Sequence, residues 1–267
     1  MDRSQPPCSQ VAVLLALLAI SGQGHAADSD FSATVERLGA EHAASIVEVR
    51  FVQTAEFAGM VQRLDALVLG LVVSADGMIL VPEQLLQPEF EVSDPSASDP
   101  TALMTLRLQA SDYRVFVNGR SEPLAARYVT RDADRGIAWL KLSASVAPAL
   151  VRQLMQPVAL DQPCTLVPGQ RWFGLWRLPA RQGGAPNVAP GFVGGRTAFP
   201  FPALAVSGPV GAAFDVTGAF CGYVVNITVD PQGFGGQPWQ ETLMVDADTI
   251  KRLTRTAAGV AGAEATP

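Results

Sequence analysis

The feature that most constrains this chain is a change of apolar period at Ile46. Upstream, Phe31, Val35 and Leu38 are spaced as one face of a short amphipathic helix over residues 31–43. His42 falls at its C-terminal end, where a histidine interacts favourably with the helix dipole. From Ile46 the period is two. Ile46-Val47-Glu48-Val49-Arg50-Phe51-Val52 alternates apolar and polar side chains, as a half-exposed strand does. Apolar runs at Leu67–Ser74 and Met78–Val81 flank an Asp76-Gly77 pair that predicts a tight hairpin. Asn118-Gly119 gives a second such turn, between strands at Tyr113–Val117 and Leu124–Val129. Strands are also expected at Leu103–Gln109 and Gly136–Leu142. Ser143–Pro157, with two prolines, reads as a linker. Beyond it, strands are expected at Cys164–Val167, Trp172–Leu178, Leu204–Val206, Ala212–Val216, Phe220–Ile227 and Thr242–Val245. The acidic stretch Gln87–Ala102 and the Gly- and Pro-rich Gly183–Gly195 read as loops. Asp246–Ala257 starts acidic and ends basic, which predicts a helix, and Ala258–Pro267 reads as a disordered tail. Many short strands between turn signals, with no internal repeat, predict an all-β sandwich or barrel pair closed by a helix.

The N-terminus reads differently. Arg3 precedes an apolar run, Val11–Ile20, that is too short to cross a bilayer, and Gly24-His25-Ala26 offers small residues at cleavage offsets. Residues 1–26 are therefore expected to be a signal peptide, and the mature protein to be periplasmic or secreted. Cys8 lies before the apolar run, which argues against lipidation, and no transmembrane segment is expected after cleavage.

Cleavage leaves one histidine, His42, and two cysteines, Cys164 and Cys221. That set is too small for a conventional metal site, and no metal is expected. Gly194-Gly195 and Gly235-Gly236 lack a strand–loop–helix setting, so no phosphate loop and no cofactor is expected. With a net charge of -6 and only two lysines, Lys141 and Lys251, a broad basic face for nucleic acid is excluded. Cys164 and Cys221 either pair in an oxidising compartment or serve as buried thiols; the second is the favoured expectation. Asn226-Ile227-Thr228 matches a glycosylation acceptor but falls on an expected strand.

Six stretches, in order, carry a family resemblance. Ala44–Val52 is similar to a PAVVNI-like first strand, and Gly70–Leu80 (GLVVSADGMIL) to a GVIISADGYIL hairpin. Val115–Asp132 resembles a strand pair ending in a V-x-x-D step, and Asp132–Leu142 (DADRGIAWLKL) resembles DPxxDLALLKL. Val167-Pro168-Gly169-Gln170 resembles a VGD step, and Leu243–Leu253 (LMVDADTIKRL) resembles FAIPSDTVRRL. Together they resemble the trypsin-like serine proteases, in the bacterial branch of the HtrA and Deg proteases. The resemblance implies two six-stranded antiparallel barrels with a cleft between them. Barrel one would span 44–145 and barrel two 158–246, followed by a helix at 246–257, within a domain covering 27–257. The peptide-binding PDZ module of many such proteases is not expected after it.

The resemblance also implies where a Ser-His-Asp triad should lie, and those positions do not match. The histidine of a TNAHVV-like step falls on Gln84, and a neutral amide is no general base. The aspartate falls on Gly136; Asp134, two residues earlier on the strand, is displaced by roughly 6–7 Å. For the nucleophile of GNSGGPLF three registers are open. One places Val210 there, one Pro209, and a third keeps Ser207 as a fallback nucleophile in a shortened SGGPV. The first is favoured, and it leaves the backbone N–H groups of Gly208 and Val210 as a residual oxyanion-type cradle. Glu83, Glu89, Asp132 and Asp134 could in principle form a carboxylate pair, but ordinary loop acids are the expectation. Trp172 and Trp176 are expected to pack in the core. The reading is thus an exported, catalytically degenerate trypsin-like domain that holds a peptide or protein partner in its cleft. The alternatives are a divergent endopeptidase using Ser207 and a structural domain of an envelope assembly.

Overall fold

The computed structural model describes residues 30–57, 60–86, 89–93, 103–117, 120–179, 182–229 and 239–263. Residues 1–26, read as a signal peptide, and the Asn118-Gly119 turn lie outside them. A helix α1 spans 30–42 and runs through one 3-10 turn, Ala43–Ser45, into the first strand. The strands of the first half are β1 (Ile46–Phe57), β2 (Met60–Val72), β3 (Met78–Pro82), β4 (Glu89–Ser93), β5 (Leu103–Arg107), β6 (Gln109–Phe116), β7 (Leu124–Asp132) and β8 (Ile137–Leu142). A one-turn helix α2 (Glu83–Leu86) follows β3. The second half contains helix α3 (Pro148–Leu154), then β9 (Arg171–Arg177), β10 (Pro186–Thr197), β11 (Ala203–Ser207), β12 (Gly211–Phe214), β13 (Phe220–Val229), β14 (Trp239–Asp246) and helix α4 (Ala247–Ala263).

The strands close into two antiparallel barrels of six. The first has the order β1-β2-β3-β8-β7-β6 and the second β10-β11-β14-β13-β12-β9, the architecture that the resemblance implies. Closure leaves no barrel strand unpaired along a whole side, although strands that outrun their neighbours keep short edges. β8 shows how the barrels meet. Ala138, Leu140 and Leu142 fill barrel one, while Ile137 and Trp139 point outward into a cluster with Leu175, Phe214 and Tyr223 of barrel two. A strand buried on both faces reads as the near-continuous apolar run seen in its sequence. The Trp139 indole N–H donates to Thr254 Oγ1 at 3.1 Å, which pins α4 across the back of barrel one. Arg135, in the β7–β8 turn, lies over the Phe201 ring of the second half at 5.0 Å.

Several local expectations are corrected. Gly183–Gly195 is largely strand: β10 closes barrel two, and Gly191 is required there because a side chain would collide with Trp172 and the Ser207 carbonyl. Part of Gln87–Ala102 is strand too, since β4 pairs with β5 as a two-stranded ribbon. Cys164–Val167 makes no ladder. The stretch read as a linker contains α3, with Pro148 at its first turn, where the missing N–H costs nothing. The C-terminal helix does not stop at Ala257: α4 runs to Ala263, so 258–263 are helix rather than disordered tail. The reason is packing, since Ala257 and Ala261, one turn apart, are both buried, and Arg127 Nη2 donates to the Ala261 carbonyl at 3.0 Å.

Cys164 and Cys221 are joined by a disulfide, with their Cα atoms 5.0 Å apart. The buried-thiol expectation is thereby replaced. The bond ties the strandless segment after α3 to β13, a segment that lacks ladder hydrogen bonds to hold it.

Candidate functional site

Of the positions singled out by the resemblance, Gln84 and Gly136 lie side by side in barrel one, and Val210 lines a pocket between the barrels. α2 begins directly after Pro82 and carries Gln84, exposed, toward the β7–β8 turn. In that turn the Gly136 N–H donates to the Ala133 carbonyl at 3.2 Å, and the Gly136 carbonyl accepts from the Glu83 N–H at 2.8 Å. A Cβ at position 136 would lie 3.6 Å from Gln84 Nε2. The positions that the resemblance assigns to base and orienting acid are thus adjacent, and they hold an amide and no side chain. Gly136 also has φ +61°, a left-handed conformation that glycine adopts without strain.

The β11–β12 connection decides which side chain faces the cleft. Ser207 ends β11, paired with Phe192 of β10, and is exposed. Gly208, at φ +136°, lies against Gly191 and Trp172, where a Cβ would come within 2.8 Å of both. The Pro209 ring covers Gly174 of β9, leaving no room for a side chain at 174. Val210, 38% exposed, turns toward barrel one. It lines an interbarrel pocket of about 200 Å³ with Ile46, Leu69, Pro82, Trp176 and Tyr223. Trp172 is fully buried in barrel two, as expected, but Trp176 of the same strand lines this pocket. Burial pushes the Tyr223 phenol well above its ordinary pKa, so it stays neutral and the pocket wall carries no charge.

β13 supplies a second element of the site. Its ladder with β12 ends at Gly211↔Val224, while its ladder with β14 continues to Val229↔Trp239. Among the described residues, Val225–Val229 therefore has no strand partner on its β12 side. This free edge begins at the level of Val210, beside the pocket.

The other candidates are committed elsewhere. His42 stacks on Phe214 with ring centroids 4.2 Å apart and faces the Gly218 backbone, on the β12–β13 turn. No described contact brings it to Ser207. Arg37, on the same helix, donates to the carbonyls of Val216 (2.5 Å) and Thr217 (3.2 Å), so α1 clamps that turn. Glu83 is buried and paired with Arg131 at 2.6 Å. Asp132 is paired with Arg135 at 2.9 Å and accepts the Arg135 N–H. Asp134 is exposed, and the side chain of Glu89 lies outside the described residues. Sulfurs of Cys164 and Cys221 lie near the Asp215 carboxylate. With the sulfurs joined, and Asp215 Oδ1 accepting from Thr217 and Ala219, this group offers no metal-binding set.

One residue went unremarked in the sequence. Arg177, at the end of β9, is only 8% exposed, and its Nε has no hydrogen-bond acceptor. It falls within the strand expected over Trp172–Leu178, and only its burial distinguishes it.

No family model and no curated protein matches the chain. Among solved structures it is similar to the apo crystal structure of the MamO protease domain from Magnetospirillum magneticum, at 17% identity and a TM-score of 0.47. That match covers 79% of this chain and 96% of the other.

Proposed function

We propose that this protein is an exported, catalytically degenerate trypsin-like domain that binds an extended peptide or a partner's loop in its interbarrel cleft without cleaving it. One observation supports the reading: the adjacent pair that the resemblance assigns to base and orienting acid is Gln84 and Gly136, and neither these nor Val210, at the position assigned to the nucleophile, can attack a carbonyl, take its proton or orient a base. What the cleft does offer is binding. The strand edge at Val225–Val229 can accept an added antiparallel strand through main-chain hydrogen bonds, and the apolar pocket beside it can take a side chain. Export rests on the sequence features of residues 1–26. Among the described residues no helix is long and apolar enough to cross a membrane.

Hydrogen–deuterium exchange tests the binding mode. Adding a degenerate pool of acetylated, amidated pentapeptides built from Val, Ala, Leu and Thr should slow exchange of the amides over 225–229 in residues 27–267. Val210→Arg should abolish that protection by filling the pocket. Protection located elsewhere, or unaffected by Val210→Arg, would contradict the proposal.

A further inference from the structure

Among the described residues Arg177 is a charge with no partner. It is only 8% exposed, its Nε is enclosed without an acceptor, and it makes no ion pair or hydrogen bond among the described residues. Burial depresses its pKa. Withdrawing a cation from water without a partner is strongly unfavourable, so an enclosed arginine is ordinarily held by a carboxylate or several carbonyls.

Its place in the fold gives that missing partner a location. Phe173 and Leu175, which precede it on the same face of β9, belong to the interbarrel cluster, and Arg177 continues that face. Its neighbours Leu175 and Trp176 line the pocket. In the β9–β12 ladder Ala212 is opposite Leu175, which puts Arg177 at the level of Val210, where β12 has ended. The Nε is fully enclosed, while the small residual exposure of the residue leaves a route to the rest of the guanidinium.

Resting on the cleft-binding reading above, we infer that Arg177 is a recognition residue for a carboxylate on the bound peptide. The pocket beside it is apolar, so the ligand would pair an apolar side chain with an acidic group a short distance along the chain. A largely buried guanidinium with no protein partner binds a carboxylate through two parallel, charge-assisted N–H···O bonds, with less further desolvation to offset than an exposed one has. The carboxylate comes either from an Asp or Glu side chain or from a free C-terminus.

Three pentapeptide pools separate these cases by fluorescence anisotropy on the protein spanning 27–267. All have Val, Ala, Leu and Thr at the variable positions. The first has central Glu and an amidated end, the second central Gln and an amidated end, and the third central Gln and a free C-terminal carboxylate. The wild type should bind one of the two acidic pools about tenfold or more tightly than the neutral pool. Which one it prefers identifies the source of the carboxylate. Arg177→Met should bind all three alike, and Arg177→Lys should keep part of the preference. Should Arg177→Met fail to fold, the pool ratios of the wild type and of Arg177→Lys still decide the matter. Binding of the wild type with no acidic preference overturns this inference and leaves the cleft reading standing. A preference that survives in Arg177→Met overturns it equally. Binding of none of the pools overturns both.

Discussion

Gly136, at the position that the resemblance assigns to the orienting acid, makes a first residue-level prediction. Its left-handed φ of +61° means that any substitution there is strained even where space is available, and the nearest side-chain atom to a built Cβ is 3.6 Å away. Gly136→Ala should therefore lower stability by about 1 kcal/mol through backbone strain alone, read as a shift of the urea midpoint without a change in slope. His42 makes a second residue-level prediction. Burial lowers its pKa below 6.5 in the folded state, outweighing the upward pull of Glu41 and the Gly218 backbone, and Arg37 adds to the lowering. The unfolded chain then binds the proton more readily than the folded one. The contribution to stability is fully present above pH 6.5 and is lost as pH falls below it. Urea titrations at pH 7.5, 6.5 and 5.5 should show this loss, and His42→Phe, which keeps the ring stacked on Phe214, should reduce it.

At the level of elements, the strands with clear period-two patterns or Asp-Gly turns were legible in the sequence, and β8 most clearly. β10 was not, because Gly191 answers to the indole of Trp172, its cross-strand partner on β9, which lies nineteen residues earlier in the chain. The helical end of α4 was hidden likewise: Ala257 and Ala261 look like tail residues until a surface is there to bury them. Motif order singled out Gln84 and Gly136, and the structure places them side by side. The aim of Val210 could not be read in that way, since it depends on how β12 pairs with β9 and on the Pro209 ring over Gly174. The disulfide was equally illegible, because a spacing of 57 residues says nothing of distance. Closing a loop of that length should contribute about 4 kcal/mol. Cys164→Ala/Cys221→Ala should lose that amount in chemical denaturation, and adding reductant to the double variant should change nothing further.

On the scale of the whole molecule, the proposal that the protein holds a strand rests on the two closed barrels, the pocket between them and the β13 segment that β12 leaves unpaired, while the positions that the resemblance assigns to the triad hold Gln84, Gly136 and Val210. Ser207 is exposed but lies on β11 away from the pocket lining, and His42 is spent on the β12–β13 turn. An unactivated serine hydroxyl is a weak nucleophile, whereas one served by a base reacts rapidly with phosphorus electrophiles. The most direct test of this account is the intact mass of the folded protein, residues 27–267, after incubation with a fluorophosphonate. The account predicts an unshifted mass alongside a circular dichroism spectrum of a folded β protein. A stoichiometric adduct mapped to Ser207 would contradict it.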